Sequence, residues 1–382
     1  MALSDLKVIR RSNSHEILEL IRAAGKISRA ALSKKAKLTR KTISQIMADL
    51  IERKYISEVG KGVSSGGKPP ILLELARDGA YAAGIDLANE GIIRGVLCDF
   101  SGGIVQRLEL PCENRSDDIL EKILRIALQF KKQVPARRLK GVGIAVSGIV
   151  DVEKNEVLFS SNLDIAGKNL AGELSKGLSL PVYLENNPRS SAWLELRQGK
   201  IQGVQNLLFL NTGTGVGAGL IFGGKIYYGS FMGSGEIGSV ALTSEEFYGA
   251  PRSQDILEKR VNEAWLFTEA ARLGLPGEMG ALILEYQNGN EKVAALFRKH
   301  AQVLAYAAAF TANLLNPEVV ILGGKVTAYG PKYFEEFRRV FEAHLLTPYV
   351  GKIRLAYSEF GLDGVALGGA ALVLEKVIRL EI

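Results

Sequence analysis

Between residues 14 and 54 the apolar positions recur at helical spacing in three short runs. In Ser14–Arg22 they fall at 17, 18, 20 and 21, with Gly25 placed to end a first helix. Ser28 offers an N-cap to a second helix, Arg29–Ala36, and Thr39 to a third, Arg40–Lys54. In the third run Ile43, Ile46, Met47, Leu50 and Ile51 follow the i, i+3, i+4, i+7, i+8 stripe of one buried face. Arg40, Lys41, Thr42, Ser44 and Gln45 hold its first turn and opposite face. Two apolar-rich runs, 55–60 and 70–75, predict a strand pair around the small, basic segment 61–69.

From Tyr81 the texture changes. Strands are expected at Ala82–Leu87, Gly91–Asp99 and Ile104–Leu110, a helix at Asp117–Lys132 and an apolar strand at Gly141–Val146. A second strand-rich segment opens at Asn206 and runs through the glycine-rich stretch 211–225. A helix, Leu304–Leu315, ends at Asn316-Pro317 before the strand Val319–Leu322 and the turn Gly323-Gly324. The same strand–turn–strand opening occurs twice, which predicts two similar lobes with a cleft between them.

Composition narrows the class. The chain has 382 residues, 47% hydrophobic and 23% charged, which excludes a disordered or fibrous protein. No apolar run reaches the roughly 18 residues of a membrane span, and residues 1–11 lack the apolar core of a signal peptide. Cys98 and Cys112 are the two cysteines and have no CxxC spacing, so neither a disulfide scaffold nor a cysteine-clustered metal site is expected; a cytoplasmic location follows.

The net charge of +7 is concentrated at one end. Residues 1–75 hold 15 Lys+Arg against 7 Asp+Glu, a balance of +8, so the remainder is −1. A basic head on a near-neutral body is the footprint of a nucleic-acid-binding module fused to something else. Three helices with a tight turn before the polar-headed third match a helix-turn-helix, whose last helix enters the major groove. Gln45 and Arg40 have the bidentate capacity to read base edges, whereas Lys41, Thr42 and Ser44 suit phosphates. Lys68, between the two strands, suits a phosphate or a narrow minor groove. A helical hairpin for protein contacts and a plain flexible linker are the alternatives for these two segments. The glycines in Asn211-Thr212-Gly213-Thr214-Gly215-Val216-Gly217-Ala218-Gly219 let backbone amides approach an anion, and would equally serve a tight hairpin.

The head SRAALSKKAKLTRKTISQIMADLIERKYISEVGKGVSSGGKPP, joined to this body, resembles the ROK family (repressors, open reading frames and kinases), in particular its NagC/XylR-type transcriptional repressors. The resemblance spans nearly the whole chain. It implies an α/β protein: an N-terminal winged helix-turn-helix followed by two actin-like (ribonuclease-H-like) lobes around a sugar cleft. The corresponding division is residues 1–75 for the DNA-binding domain with its basic wing, 76–187 for the first lobe, completed by a C-terminal helix 365–382, and 188–364 for the second.

Three departures from the family's kinases stand out. Its catalytic Asp after Glu-Asn is matched by Asn187 in Glu185-Asn186-Asn187. A carboxamide has no usable basicity, and general-base assistance is worth ~10²–10⁴ in rate. Its Gly-Ile-Asp-Ile-Gly-Gly-Thr phosphate loop is matched by Gly84-Ile85-Asp86-Leu87-Ala88-Asn89-Glu90, with both glycines lost and a carboxylate added. The second phosphate motif, including Gly213, Thr214, Gly215 and Gly217, reads as inherited structure. The family's zinc ligands are matched by Ser239, Gly249, Pro251 and Ile256, none of which can ligate, so no metal is expected. What the resemblance retains is sugar contact, through Asn162, Asn186, Asn187, Glu236 and Glu258. His15, His300 and His344 are scattered without ligand spacing.

The expected protein is a sugar-responsive regulator, a repressor by resemblance, with double-stranded operator DNA and a sugar or sugar phosphate as partners. It needs neither membrane nor cofactor. Helix-turn-helix proteins read palindromes as pairs, so a homodimer or higher homo-oligomer is expected. The rival reading is an ATP-dependent sugar kinase, for example for N-acetylglucosamine, carrying an added DNA-binding head.

Overall fold

The apolar stripe of the first 75 residues closes into a small core of three helices and a three-stranded sheet. The computed structural model describes residues 3–62, 69–88, 91–241 and 256–382, with side chains from residue 8 onward. The head comprises α1 (Leu3–Ala24), β1 (Ile27–Ser28), α2 (Arg29–Lys35), α3 (Arg40–Glu52), β2 (Ile56–Lys61) and β3 (Ile71–Leu75). Ser28 Oγ accepts from the Ala31 amide and Thr39 Oγ1 from the Thr42 amide, so both expected N-caps form. Ile43, Ile46, Met47 and Leu50 are buried against Ile17, Leu18, Ile21 and Leu32. Two features differ from expectation. Helix α1 begins at Leu3 rather than Ser14, and Ile27-Ser28 pairs with Leu73-Leu72 as a third strand, giving the order β1-β3-β2.

The body contains two five-stranded sheets. The first uses β4 (Tyr81–Leu87), β5 (Ile92–Asp99), β6 (Ile104–Pro111), β7 (Leu139–Val146) and β10 (Val182–Asn186), in the order β10-β7-β4-β5-β6. Helices α4 (Ser116–Gln133) and α5 (Leu170–Leu178) accompany it, and a hairpin of β8 (Ile149–Asp151) and β9 (Glu156–Phe159) projects beside it. Helix α6 (Asn187–Gln198) leads to the second sheet, built from β11 (Leu207–Thr212), β12 (Val216–Phe222), β13 (Lys225–Ile226), β14 (Val319–Gly324) and β15 (Arg354–Tyr357). Its order is β13-β12-β11-β14-β15. Counted along the chain, each sheet runs third-second-first-fourth-fifth, with the first three strands antiparallel and the rest parallel. The doubled strand–turn–strand opening is therefore a doubled topology.

Helices α7 (Leu257–Val261), α8 (Glu263–Arg272), α9 (Met279–Gln287), α10 (Glu291–Leu315) and α11 (Pro331–His344) accompany the second sheet, and α12 (Gly364–Ile378) ends the fold. Helix α12 packs on β4 and β7 and on α6, while α6 packs on β11 and β12, so this helix pair lies between the two sheets. Small residues bring the backbones together: a Cβ on Gly84 would lie 1.8 Å from the Ala366 carbonyl oxygen, and one on Gly368 2.4 Å from that of Ser190. Helix α10 starts at Glu291 rather than Leu304, and α12 ends at Ile378 rather than continuing to the last residue. His300 is a buried helix residue. It is enclosed in α10, where its Nε2 faces the Val261 carbonyl at 2.8 Å and its Nδ1 the Tyr333 hydroxyl at 2.6 Å. A carbonyl only accepts, so Nε2 carries the proton and Tyr333 donates to Nδ1. Burial pushes this imidazole down to about 4, which keeps it neutral.

Candidate functional site

Two surfaces gather the residues singled out by the sequence. On the head, Arg40, Lys41, Ser44 and Gln45 are exposed along α3, and none has a side-chain hydrogen bond or ion pair to another described residue. Thr42 is partly committed, its Oγ1 lying 2.9 Å from Thr39 Oγ1 in the cap. The early start of α1 places Ile9, Arg10 and Asn13 along one groove with Thr42 and Gln45, and Arg10 pairs with Asp49 at 3.4 Å. At the base of the wing the Gly62 amide donates to the Pro70 carbonyl at 2.8 Å. Lys68 lies outside the described residues, as do Asn89 and Glu90 of the first phosphate loop.

The second surface is a cleft between the lobes. Asp86, Ala88, Ser147 and Gly148 line it from the first lobe, Asn186, Asn187 and Ser191 from the start of α6, and Gly213–Gly217, Glu236 and Glu258 from the second lobe. Asn162 is an exception. It is not among the lining residues; its Oδ1 accepts from the Ser161 hydroxyl at 2.9 Å, and Ser161 is the residue that reaches the cleft wall.

Asn186 is a structural cap as well as a wall residue. Its Oδ1 accepts from the Arg189 amide and its Nδ2 donates to the Gly148 carbonyl at 2.8 Å, so it ties the start of α6 to the first lobe. Asn187, buried at 8% exposure, makes no side-chain hydrogen bond to another described residue and lines the cleft. Its carboxamide is available to both donate to and accept from a hydroxyl.

The carboxylates differ in freedom. Glu258 Oε2 accepts from the Val216 amide at 3.0 Å and lies 2.9 Å from where a Cβ on Gly215 would stand. The glycine-rich stretch closes as a tight hairpin, with Thr212 opposite Val216 and the Gly213 amide on the Gly215 carbonyl, and the Glu258 carboxylate sits on its Val216 amide. Lys325 extends past Gly213 and pairs with Glu263. Glu236 has its carboxyl raised by the surrounding walls and by the Glu258 charge, although Arg189 opposes the shift. Glu236 is nonetheless exposed and lines the cleft.

Several residues were not legible in the sequence. Arg189 and Glu185 form a buried pair at 2.8 Å; Arg189 also donates to the carbonyls of Met232 and Val150, and Tyr228 donates to Glu185 Oε2 at 3.1 Å. This brace joins both lobes. Its only sequence signal is the i, i+4 spacing of two opposite charges. Phe159, 57% exposed at the cleft wall, gave none. In the loop matching the family's zinc motif, Ile256 pairs with Ala241 in an isolated bridge, while Gly249 and Pro251 lie outside the described residues.

The arrangement has counterparts among known proteins. A winged helix-turn-helix DNA-binding model matches residues 10–57, and the ROK family model matches residues 82–376. A putative xylose repressor from a Caldicellulosiruptor strain is 28% identical, with 97% of each chain covered. Among solved structures, a ROK family transcriptional regulator described as a homologue of the E. coli MLC protein superposes with a TM-score of 0.82 at 23% identity, covering 98% of each chain. A Streptomyces griseus ROK glucokinase, solved with glucose and AMPPNP, superposes with a TM-score of 0.68 at 23% identity, covering 77% of this chain and 99% of its own. The part it leaves uncovered corresponds in size to the head, and with the family model spanning most of the body the chain belongs to the ROK family.

Proposed function

We propose that this protein is a sugar-responsive transcriptional repressor. Its winged helix-turn-helix binds double-stranded operator DNA through α3, and a sugar in the interlobe cleft changes that binding. The observation that carries the reading is Asn187: at the position where a base would address a sugar hydroxyl stands an uncommitted amide, which binds a hydroxyl but cannot take its proton. Glu258, seated on the Val216 amide, places negative charge where a nucleotide phosphate would come, which favours a sensor over a phosphotransferase.

In this mechanism Asn187 and Glu236 contact the sugar hydroxyls, with Asn186 and Glu258 holding the wall, and the Phe159 ring offers an apolar face to the sugar's C–H groups. Arg40 and Gln45 read bases, and Lys41, Ser44 and the wing hold phosphates. The protein acts in the cytoplasm as a homodimer. Among the described residues no helix is long and apolar enough to cross a membrane.

A thermal-shift screen of the full chain against D-xylose, D-glucose, N-acetylglucosamine and their phosphates, with and without Mg-ATP, tests the reading. Stabilisation by one sugar and none by Mg-ATP is expected, followed by a sugar-dependent change in operator binding. Stabilisation by Mg-ATP together with sugar phosphorylation would replace this reading with that of a kinase carrying a DNA-binding head.

A further inference from the structure

Two helices start together at the cleft and end together on the DNA-binding head. Helix α6 begins with Asn187 and Pro188 in the cleft wall, and α12 begins there with Gly364 and Val365. Twelve residues of α6 span ~18 Å. At the far ends stand Arg197 on α6 and Glu375 on α12, with Arg379 just beyond the latter. Helix α1 of the head meets them with Glu19 and Arg22.

The contacts form one closed cluster. Arg197 Nη2 donates to Glu19 Oε1 at 2.8 Å, and its Nε to Glu375 Oε2 at 3.0 Å. Arg22 Nη1 donates to Glu375 Oε2 at 3.0 Å and Nη2 to Glu19 Oε1 at 2.7 Å, while Arg379 Nε donates to Glu375 Oε1 at 2.8 Å. Both carboxylates are shared between head and body. Glu375 is 5% exposed; burial alone would raise its carboxyl, but the hydrogen bond from Arg197 and the charges of Arg22 and Arg197 outweigh it and hold it at about 2. His15 lies 3.5 Å from Glu19, yet every carboxylate oxygen of the cluster already accepts from a guanidinium, so a metal ion would have to displace arginines.

Beneath the charges the same three helices share one apolar core, Ile17 and Ile21 of α1 clustering with Trp193 and Leu194 of α6 and Leu374 and Val377 of α12. The head is therefore seated on the helix pair rather than hung from a tether. The pair is close-packed, because Gly368 brings α12 to the α6 backbone at Ser190, where no side chain stands between the two.

We propose that Glu19, Arg22, Arg197 and Glu375 are the positioning cluster through which the state of the cleft sets the orientation of the DNA-binding head. The inference rests on the sugar-regulator reading above. A sugar that draws the lobes together moves the Asn187 and Gly364 ends of the two helices. Their far ends carry α1 with them, because guanidinium–carboxylate geometry tolerates little sliding and the apolar layer beneath is close-packed.

The test uses full-length Arg197→Met and Glu19→Gln proteins beside the wild type, with a duplex operator selected from random DNA by the wild-type protein. Operator affinity is measured with and without D-xylose, D-glucose or N-acetylglucosamine, sugar affinity by calorimetry, and α1 protection by hydrogen exchange. A coupling of ~5–150-fold is typical between linked sites. Both variants are expected to bind the sugar within about twofold of wild type, to lose α1 protection, and to drop the sugar's effect on operator affinity by about tenfold or more, with Arg197→Lys between them and wild type. If the wild type responds to a sugar and both variants respond equally, the inference is overturned while the regulator reading stands. If no sugar alters operator binding by the wild type, the regulator reading falls and takes this inference with it. Glu19→Gln, at the more exposed side of the cluster, keeps the test decisive should Arg197→Met fail to fold.

Discussion

At the scale of single residues the proposed function turns on one atom. Asn187 differs from an aspartate by an amide nitrogen in place of an oxygen, which converts a base into a donor and acceptor for hydroxyls. Asn187→Ala is expected to weaken sugar binding by about 1 kcal/mol, roughly fivefold, as read by calorimetry, with sugar-free operator affinity unchanged. Asn187→Asp is expected to give no phosphorylation from Mg-ATP, because Glu258 still occupies the Val216 amide; a coupled ATPase assay that registered sugar-dependent turnover would contradict this. A second residue sets a pH dependence. Glu195 on α6 is buried at 4% exposure, with one carboxylate oxygen lacking a hydrogen-bond partner among the described residues. Burial, helped by the Glu359 charge, pushes its carboxyl up to about 7 against the pull of hydrogen bonds from Ser358 and the Glu359 amide. The folded pKa lies above the unfolded one, so the protonated group's contribution is fully present below about 4.5 and is lost as pH rises to about 7. Glu195→Gln removes that slope: thermal unfolding should show the variant more stable than wild type by up to about 2–3 kcal/mol at pH 8 and equal to it near pH 4.

Among the elements, α3 was the most legible. Its stripe, its Thr39 cap and its polar face are all local properties of sequence, and each reappears in the structure. If α3 enters the major groove, Gln45→Ala should cost about 1–3 kcal/mol of operator affinity and relax specificity at one base pair. Lys41→Ala should instead weaken all sequences alike and lower the salt slope of binding by about one. Fluorescence anisotropy over a salt series separates the two. The first half of α1 was not legible, because its apolar residues Val8 and Ile9 stay exposed and do not continue the buried stripe of Ile17, Leu18 and Ile21. Strand β1 was missed for a related reason: two residues cannot display an alternation, and only pairing with Leu72 and Leu73 makes them a strand. In α10 the expected start at Leu304 fell late because alanines fill the later turns, while the earlier turns bury Val293, Leu296 and Phe297 against α9 and the rings of Tyr329 and Tyr333.

For the whole molecule, the proposed sugar site links ligand concentration to stability. A sugar bound only by the folded state at about 100 times its Kd should stabilise it by about 2.7 kcal/mol, visible as a concentration-dependent rise in the unfolding temperature. Two heads reading a palindrome must lie about one helical turn of DNA, or a multiple, apart, so sedimentation is expected to give a dimer and footprinting two half-sites at that spacing. The sequence by itself determined the basic head and its recognition helix, the doubled strand openings and the amide at position 187. These follow from charge, from local periodicity and from residue identity, none of which needs a partner distant in the chain. Tertiary structure alone decided the rest. It left Asn162 off the cleft wall, spent Asn186 on a helix cap, set Glu258 on the Val216 amide and buried Arg189 between the lobes. It also brought Glu19 and Glu375, 356 positions apart, to shared arginines. A side chain's role is fixed by which neighbours close around it, and those neighbours come from elements that meet only when the chain has folded.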